Sequence, residues 1–382
     1  MNKIESLYIL NFRQLKDLRL QNLKPFNLLV GENSSGKTSV LEAISLFCRP
    51  LDALELLNVA RRREVKSSRE RLLDGVRWLF PQHAAAVSDP YFQGNITITG
   101  NGLHHTKVSI EFQGLIGDAS KQSLFSDDED PDTVENSPTT TVSPEVYETR
   151  RGAEIRMSCT TLQRLLTGEL EVKTANFELW EDERYVNRGI GDSSAIPVVT
   201  LSPVAHRVEL LQSRQLSEAT LRGDKFSVVQ AIQLIDPQID GLEVVSRSGM
   251  ASAVWVHHAT AGFSPISNLG DGTRRVLSIA LALQSVKGGV LLIDEVETAI
   301  HKDAFSKFFS WLLQAGEFFR VQIFATTHSL EAIDAILSVS LKQPDQLVAF
   351  QLPDRDSKTK EVKRFSGDIL ESLRFDQGID VR

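Results

Sequence analysis

The stretch Gly31-Glu32-Asn33-Ser34-Ser35-Gly36-Lys37-Thr38 constrains this chain more than any other run of residues in it. It matches G-x-x-x-x-G-K-[ST]. The apolar run at 26–30 before it and the apolar periodicity after it read as strand, loop and helix, the setting the motif requires. Glycines let the backbone curl until its N–H groups converge on a β-phosphate. Lys37 then neutralises charge between the β- and γ-phosphates, and the Thr38 hydroxyl can bind Mg²⁺. Asn33, Ser34, Ser35 and Ser39 complete the set expected to line the nucleotide. An ordinary turn before a helix is the competing reading, and the full motif in its proper setting outweighs it.

A second set of polar residues follows apolar strands in the last third of the chain. Asp294 and Glu295 end the run VLLIDE, which places two carboxylates at the C-terminal edge of a parallel sheet, where ligands bind. Asp294 suits Mg²⁺, and Glu295 suits the general base that takes a proton from an attacking water. His328 follows VQIFATT at another strand end. A lone histidine is more often structural, yet this position and the preceding Thr326 and Thr327 favour contact with a γ-phosphate. In NLGDGTRR, small residues and an aspartate open a helix whose free N–H groups attract an anion. Arg274 and Arg275 in its first turn are cations at the unfavourable end of the helix, which calls for an anionic partner.

Composition narrows the class. The chain has 382 residues, 41% hydrophobic and 24% charged, as in a soluble globular protein with one α/β core and a large insertion. A net charge of −8 does not advertise nucleic-acid binding, so any such contact must be local; the basic segment Arg61 to Arg71, read as helical, is the candidate. Its bland alternative is a solvated helix face. Two cysteines, Cys48 and Cys159, are too few for a disulfide framework and point to a reducing cytoplasm. Neither a signal peptide nor a membrane span is expected.

Along the chain, strands are expected at 4–10 and 26–30, and an antiparallel hairpin over 95–113 turns at Gly100 to Gly102. The acidic, Ser/Thr/Pro-rich run between Asp118 and Pro144 reads as disordered. From Ile196 the pattern returns to α/β, with VVTL, VLLID and VQIFATT as strands and helices between them. After His328 a strand at Leu347 to Leu352, a turn at Pro353-Asp354, a further strand and a short helix are expected.

Taken together, NFRQLKDL, GENSSGKTS, NLGDGTRR, LLIDEVETAIH, ATTHSLEAIDA and the terminal GIDVR resemble the ATPase family of RecF, the SMC heads and the OLD nucleases, above all the stand-alone OLD-like ATPases. The resemblance implies an α/β P-loop NTPase fold of ABC-ATPase type, with a mostly parallel sheet flanked by helices, an antiparallel β subdomain and a helical insertion. It implies one discontinuous domain, with a P-loop half at 1–48, an insertion at 49–195, a second half at 196–352 and a terminal strand and helix at 353–382. Asn11 and Arg13 would then frame adenine and ribose. Asn268, Gly270, Asp271 and Gly272 would be the signature motif facing ATP across a head-to-tail homodimer. The signature is GDG rather than the transporter-type SGGQ, and Thr298-Ala299-Ile300 stands where relatives carry Asn-Gly-Leu. Ala299 adopts positive φ less readily than glycine, so the loop after Glu295 is expected to be built differently. Gln212, Gln215 and Gln230 all remain open as the glutamine that reaches Mg²⁺.

Function follows in the same terms. ATP with Mg²⁺ would drive dimerisation that controls a separately encoded effector, a TOPRIM-like nuclease in defence against phage or plasmids being the leading partner. A RecF-like repair ATPase and a non-hydrolysing ATP-gated scaffold are the alternatives. A transporter subunit is disfavoured, because its signature normally lies within about a hundred residues of the P-loop, far closer than Gly36 and Gly270 lie here.

Overall fold

A strand buried on both faces cannot alternate polar and apolar residues, and β3 (Phe26–Val30), buried at all five positions, lacks the alternation of the preceding hairpin, β1 (Ile4–Phe12) and β2 (Leu15–Gln21). In the computed structural model, residues 3–63, 72–82, 89–102, 104–118, 149–162, 170–183, 196–207, 209–246, 251–340, 344–354 and 361–382 are described. With β8 (Val198–Leu201), β12 (Val290–Ile293), β13 (Gln322–Thr326) and β14 (Leu347–Gln351), β3 forms the parallel part of a six-stranded sheet. β15 (Lys363–Ser366) pairs antiparallel at one edge, giving the order β15, β14, β3, β13, β12, β8. The carboxyl ends of β3, β13 and β12 are therefore neighbours, which brings Gly31, His328 and Asp294 to one edge.

Alternate residues of these strands feed two apolar cores. Phe26, Leu28, Val30, Leu291, Ile293, Ile323 and Ala325 pack with α4 (Glu209–Leu221), α5 (Lys225–Ile232), α6 (Asp271–Ser285), α7 (Phe305–Phe318) and α8 (Leu330–Ser340). The same core takes in a small antiparallel sheet of β9 (Ile239–Val245), β10 (Ala253–His258) and β11 (Gly262–Pro265), in the order β11, β10, β9. On the other face, Leu29, Leu292, Phe324 and Phe350 pack against α1 (Lys37–Cys48), which is buried from Ser39 to Cys48. A helix so enclosed must have protein on its far side, and a second sheet provides it.

That second sheet joins β1 and β2 to β4 (Gln93–Gly102), β5 (His105–Asp118), β6 (Thr149–Leu162) and β7 (Leu170–Trp180) in the order β2, β1, β4, β5, β6, β7, all antiparallel. It draws on both sides of residue 49: β1 pairs with β4, so the first strands and the insertion are one sheet. The hairpin expected over 95–113 is present, but β4 continues through Gly100 and Gly102 and the chain turns only beyond them. β6 and β7 answer to no sequence expectation. The basic segment corrects another reading: α2 (Ala53–Arg61) ends at Arg61, Arg62 and Arg63 lie in a turn, and 64–71 fall outside the described residues before α3 (Leu72–Arg77). The stretch read as disordered also falls outside them beyond Asp118. A short helix, α9 (Gly367–Glu371), follows β15 as expected. Among the described residues, no helix is long and apolar enough to cross a membrane.

The two sheets are tied by one buried amide. Gln322, at the start of β13, donates to the carbonyls of Ile4 (2.8 Å) and Lys24 (3.1 Å) and accepts from the N–H groups of Ile4 (2.9 Å) and Lys3 (3.1 Å). A leucine there fills similar volume but strands these backbone groups, at about 1–3 kcal/mol for each one left buried and unpaired. Gln322→Leu is expected to lower unfolding stability by roughly 2–4 kcal/mol; urea denaturation at constant m-value checks it, and a change under about 0.5 kcal/mol would refute the tie.

Candidate nucleotide site

The loop after β3 is shaped by three positive φ angles: 145° at Gly31, 67° at Ser34 and 97° at Gly36. Gly36 is the N-cap of α1, and no side chain caps it, so the first N–H groups of the helix remain available to an anion. Lys37 lies across the loop, its Nζ donating to the carbonyls of Gly31 (2.7 Å) and Glu32 (2.8 Å). Burial lowers its pKa, opposed by the charges of Asp294, Glu295 and Glu297. The buried Ser35 hydroxyl has no hydrogen-bond partner among the described residues. A cation over a curled backbone with free donors is the chemistry a polyphosphate needs, and the loop fits ATP.

At the end of β12, the Asp294 carboxylate is gripped from two sides. The Thr38 hydroxyl donates to Oδ2 at 3.0 Å and the Thr326 hydroxyl to Oδ1 at 2.6 Å. Thr326 also accepts the Glu295 amide at 2.8 Å, so one fully buried hydroxyl positions both acids. Sequence reasoning passed over it except as context for His328; a hydroxyl closing an otherwise apolar strand was the available signal. Glu295 sits at φ 47°, and its Oε2 accepts from the Thr298 hydroxyl at 3.0 Å. Thr38 and Asp294 are hard oxygen donors at hydrogen-bond distance from each other, a set suited to Mg²⁺ completed by phosphate oxygens and water. No cluster of three or more acidic, His or Cys side chains that could hold a metal occurs among the described residues.

The anionic partner, phosphate or carboxylate, expected of both arginines of NLGDGTRR is met for Arg274 by the Asp271 carboxylate, whereas backbone carbonyls take its place at Arg275. Arg275 is fully buried, and donates to the carbonyls of Ser202 (2.6 Å), Asp294 (2.9 Å) and Glu295 (3.2 Å). Burial pushes its pKa down to about 10 despite Asp294, Glu295 and Glu297. Arg274 reaches Asp271 in its own helix at 3.3 Å. Asp271 also accepts from Arg207 at 2.9 Å. Asn268 and Gly270 are exposed, and none of Asn268 to Gly272 is hydrogen-bonded to the P-loop of its own chain. Gly272 is there for close approach: a Cβ on it would lie 2.9 Å from the Ala299 carbonyl. Ala299 itself takes φ 66°, so the loop adopts the left-handed turn without glycine, contrary to the expected rebuilding.

The remaining residues are placed as follows. Asn11 and Arg13 lie at the end of β1 with φ of 59° and 53°. Arg13 donates to Glu42 (2.8 Å) and to the Val59 carbonyl (3.2 Å), facing into the protein. Glu42, wholly buried in α1, also binds Arg63 (2.7 Å), which in turn reaches the Ser39 hydroxyl (2.8 Å). Arg62 pairs with Glu55 (3.1 Å), so two of the arginines expected to offer charge to nucleic acid are engaged internally. Gln212 is buried against His206 and Ser278, whereas Gln230 is exposed. His328 is half exposed, beside Glu297.

Comparison with known proteins decides the family. The model described as "AAA domain, putative AbiEii toxin, Type IV TA system" matches residues 109–334, more than half of the chain, and the one described as "AAA ATPase domain" matches residues 2–113. The chain belongs to the first of these AAA families. An uncharacterized protein of Methanocaldococcus jannaschii is 30% identical to this AAA protein over 115 residues, covering 30% of this chain and 99% of the relative. A second uncharacterized protein of that organism is 40% identical over 53 residues, so the chain spans 24% of that relative. RecF, the DNA replication and repair protein, from Rickettsia rickettsii is 44% identical over 63 residues, 16% of this chain and 18% of RecF. Among solved structures, the SMC head domain from Thermotoga maritima covers 96% of this chain and 99% of its own at 14% identity and a TM-score of 0.39. The Smc head bound to the C-winged helix domain of ScpA covers 96% and 98% at 11% identity and 0.45. The matches to AAA and AAA ATPase domains make the AAA protein an ATP-binding ATPase.

In this ATPase, Arg275→Met is expected to cost about 3–5 kcal/mol, because the three carbonyls lose their charged donor in a dry site, those of Ser202 and Glu295 keeping only the amides of Ala205 and Thr298. Arg275→Lys should recover part of it, since a point charge cannot span all three. Chemical denaturation of both variants checks this; equal stability of methionine and arginine would refute the bridge.

Proposed function

We propose that this ATPase hydrolyses ATP with Mg²⁺ between two copies of the chain set head to tail, and that the ATP-dependent pairing controls a separate effector. The observation that carries the reading is the division of the site. Each chain holds the P-loop, Asp294, Glu295 and His328 at one sheet edge, while Asn268 and Gly270 are exposed and the helix start they lead into is not bonded to that loop. A second copy can supply that helix start to the far side of the nucleotide.

Within one copy the chemistry divides among few groups. Lys37 exchanges the carbonyls of Gly31 and Glu32 for phosphate oxygens, a charge-assisted gain over neutral acceptors. Thr38 and Asp294 would hold Mg²⁺, which would supply charge neutralisation for the phosphates. Glu295 accepts the proton of the attacking water, and His328 approaches the γ-phosphate from the end of β13. Asn33, Ser34, Ser35 and Ser39 line the phosphates, with Asn11 and Arg13 toward adenine and ribose; for Arg13 that requires exchange of its Glu42 contact.

A separately encoded nuclease, in defence against phage or plasmids, is the effector this reading favours. The matched family's description names a putative toxin of a type IV toxin–antitoxin system, which supports a role in such conflicts. A RecF-like repair function draws on a similarity limited to 16% of this chain.

Lys37→Ala is expected to weaken ATP binding roughly 100-fold or more, from loss of charge-assisted bonds of about 1.5–3 kcal/mol each; unchanged affinity in a nucleotide titration would remove the P-loop assignment. Glu295→Gln should keep binding while turnover falls roughly 10²- to 10⁴-fold, and should trap an ATP-dependent dimer. Phosphate release together with size-exclusion chromatography and light scattering, with and without ATP and Mg²⁺, tests both parts. Wild-type turnover would exclude Glu295 as base, lost binding would recast it as a metal-holding carboxylate, and a monomer with ATP bound would refute the paired site.

A further inference from the structure

We propose that Glu297 is a positioning residue for His328, acting on hydrolysis through the imidazole; the inference rests on the γ-phosphate role proposed above for His328. Glu297 follows Glu295 by two residues, in the loop that leaves β12, and it belongs to none of the roles assigned so far. Its side chain is 11% exposed. Oε1 accepts the backbone N–H of His328 at 3.3 Å and lies 3.6 Å from Nδ1 of the ring. Oε2 is buried and has no hydrogen-bond partner among the described residues. A buried carboxylate oxygen without a donor is costly, and the ring of His328 is a mobile donor within reach.

Nearby charge explains how a third carboxylate is tolerated at a phosphate site. Lys37 and Arg275 both feel Glu297, whose charge raises the pKa of each against burial. The carboxylate thus lies within the field of two cations and meets the imidazole at His328.

The backbone of His328 is gripped at its other end as well. Arg382 donates to the His328 carbonyl at 3.3 Å. The segment carrying Arg382 is anchored by the buried Val381 and by Gln351, which donates to the Arg382 carbonyl at 2.9 Å. Arg374 joins the same segment to α8, with bonds to Asp334 at 2.8 and 2.9 Å and to the Ile379 carbonyl at 2.8 Å. With N–H and C=O both held, the freedom left to His328 is rotation of its ring. The two ring nitrogens lie on opposite sides of the imidazole, so turning Nδ1 to Glu297 turns Nε2 away from it. A carboxylate at Nδ1 fixes the ring orientation and leaves Nε2 to face a phosphate oxygen.

A purely structural Glu297 would need only an acceptor for the His328 amide, and Glu297→Gln keeps that acceptor while removing the charge. The positioning role predicts that Glu297→Gln lowers kcat roughly 10- to 100-fold, the usual effect of losing a residue that orients a functional histidine, with KM for ATP within about threefold. Glu297→Gln/His328→Ala should turn over no more slowly than His328→Ala alone. In nucleotide-free protein, the His328 ring resonances, assigned by their loss in His328→Ala, should shift in Glu297→Gln; this readout is independent of activity. Wild-type kcat in Glu297→Gln beside an impaired His328→Ala would overturn the proposal, as would additive losses in the double variant or unmoved ring resonances. Wild-type turnover in His328→Ala would instead overturn the γ-phosphate reading itself, and the positioning role with it.

Discussion

A guanidinium with no exposure to solvent holds the catalytic edge of this protein together. Arg275 reaches out of the helix that begins at Gly270 and binds the carbonyls on which β8 and β12 end, at Ser202, Asp294 and Glu295. Placing a charge in a dry interior costs several kcal/mol, and the arrangement persists because the fork of Arg geometry meets three acceptors at once. Its positive charge also stands behind Asp294, Glu295 and Glu297, so three acids can share one sheet edge. The same helix carries Gly272, whose missing Cβ lets it pass close to the Ala299 carbonyl. The helix start offered to a second copy and the acids of its own site are thereby one rigid unit, and movement of one displaces the other.

The helix after the P-loop is bound into the second sheet with similar force. Glu42 lies wholly buried one turn beyond Thr38, and Arg13 from β1 and Arg63 from the turn after α2 converge on it. Replacing either arginine by an apolar residue would leave the buried carboxylate with one cation in place of two. The contact makes the nucleotide-binding helix continuous with the antiparallel sheet through side-chain charge as well as apolar packing. It gives that sheet a direct connection to Ser39, the neighbour of Thr38, the proposed Mg²⁺ ligand.

These two clamps bear on how the ATPase can be controlled. Asp294 is held by hydroxyls from α1 and β13, Glu295 by Thr298 and by the Thr326 hydroxyl at its amide, and Lys37 by the loop's own carbonyls. Asp294, Glu295 and Lys37 are therefore each held by a partner within the chain. Such pre-organisation reduces the reorganisation required at the moment of reaction. Under the proposed pairing, the step left open would be supply of the opposite helix start.

The nucleotide loop, the order of the acids and histidine, and the apolar strands of the parallel sheet were legible in the sequence, because each rests on local rules. Positive φ at Gly31 and Gly36 needs glycine, uninterrupted apolar runs need burial on both faces, and a strand end beside a helix start exposes whatever follows it. The long strands Thr149–Leu162 and Leu170–Trp180 were not legible, since their pairing is between distant segments and their exposed positions carry mixed residues. The arginines were misread for the same reason: sequence shows Arg62, Arg63 and Arg275 as charges near a helix end, and only packing turns them inward onto Glu55, Glu42 and three carbonyls. Thr326 and Glu297 likewise gain their importance from neighbours in space. Local geometry and chemistry were determined by the sequence alone, whereas the partner of each buried polar group was decided by the tertiary structure, because pairing a charge away from water depends on which distant residue the fold delivers to it.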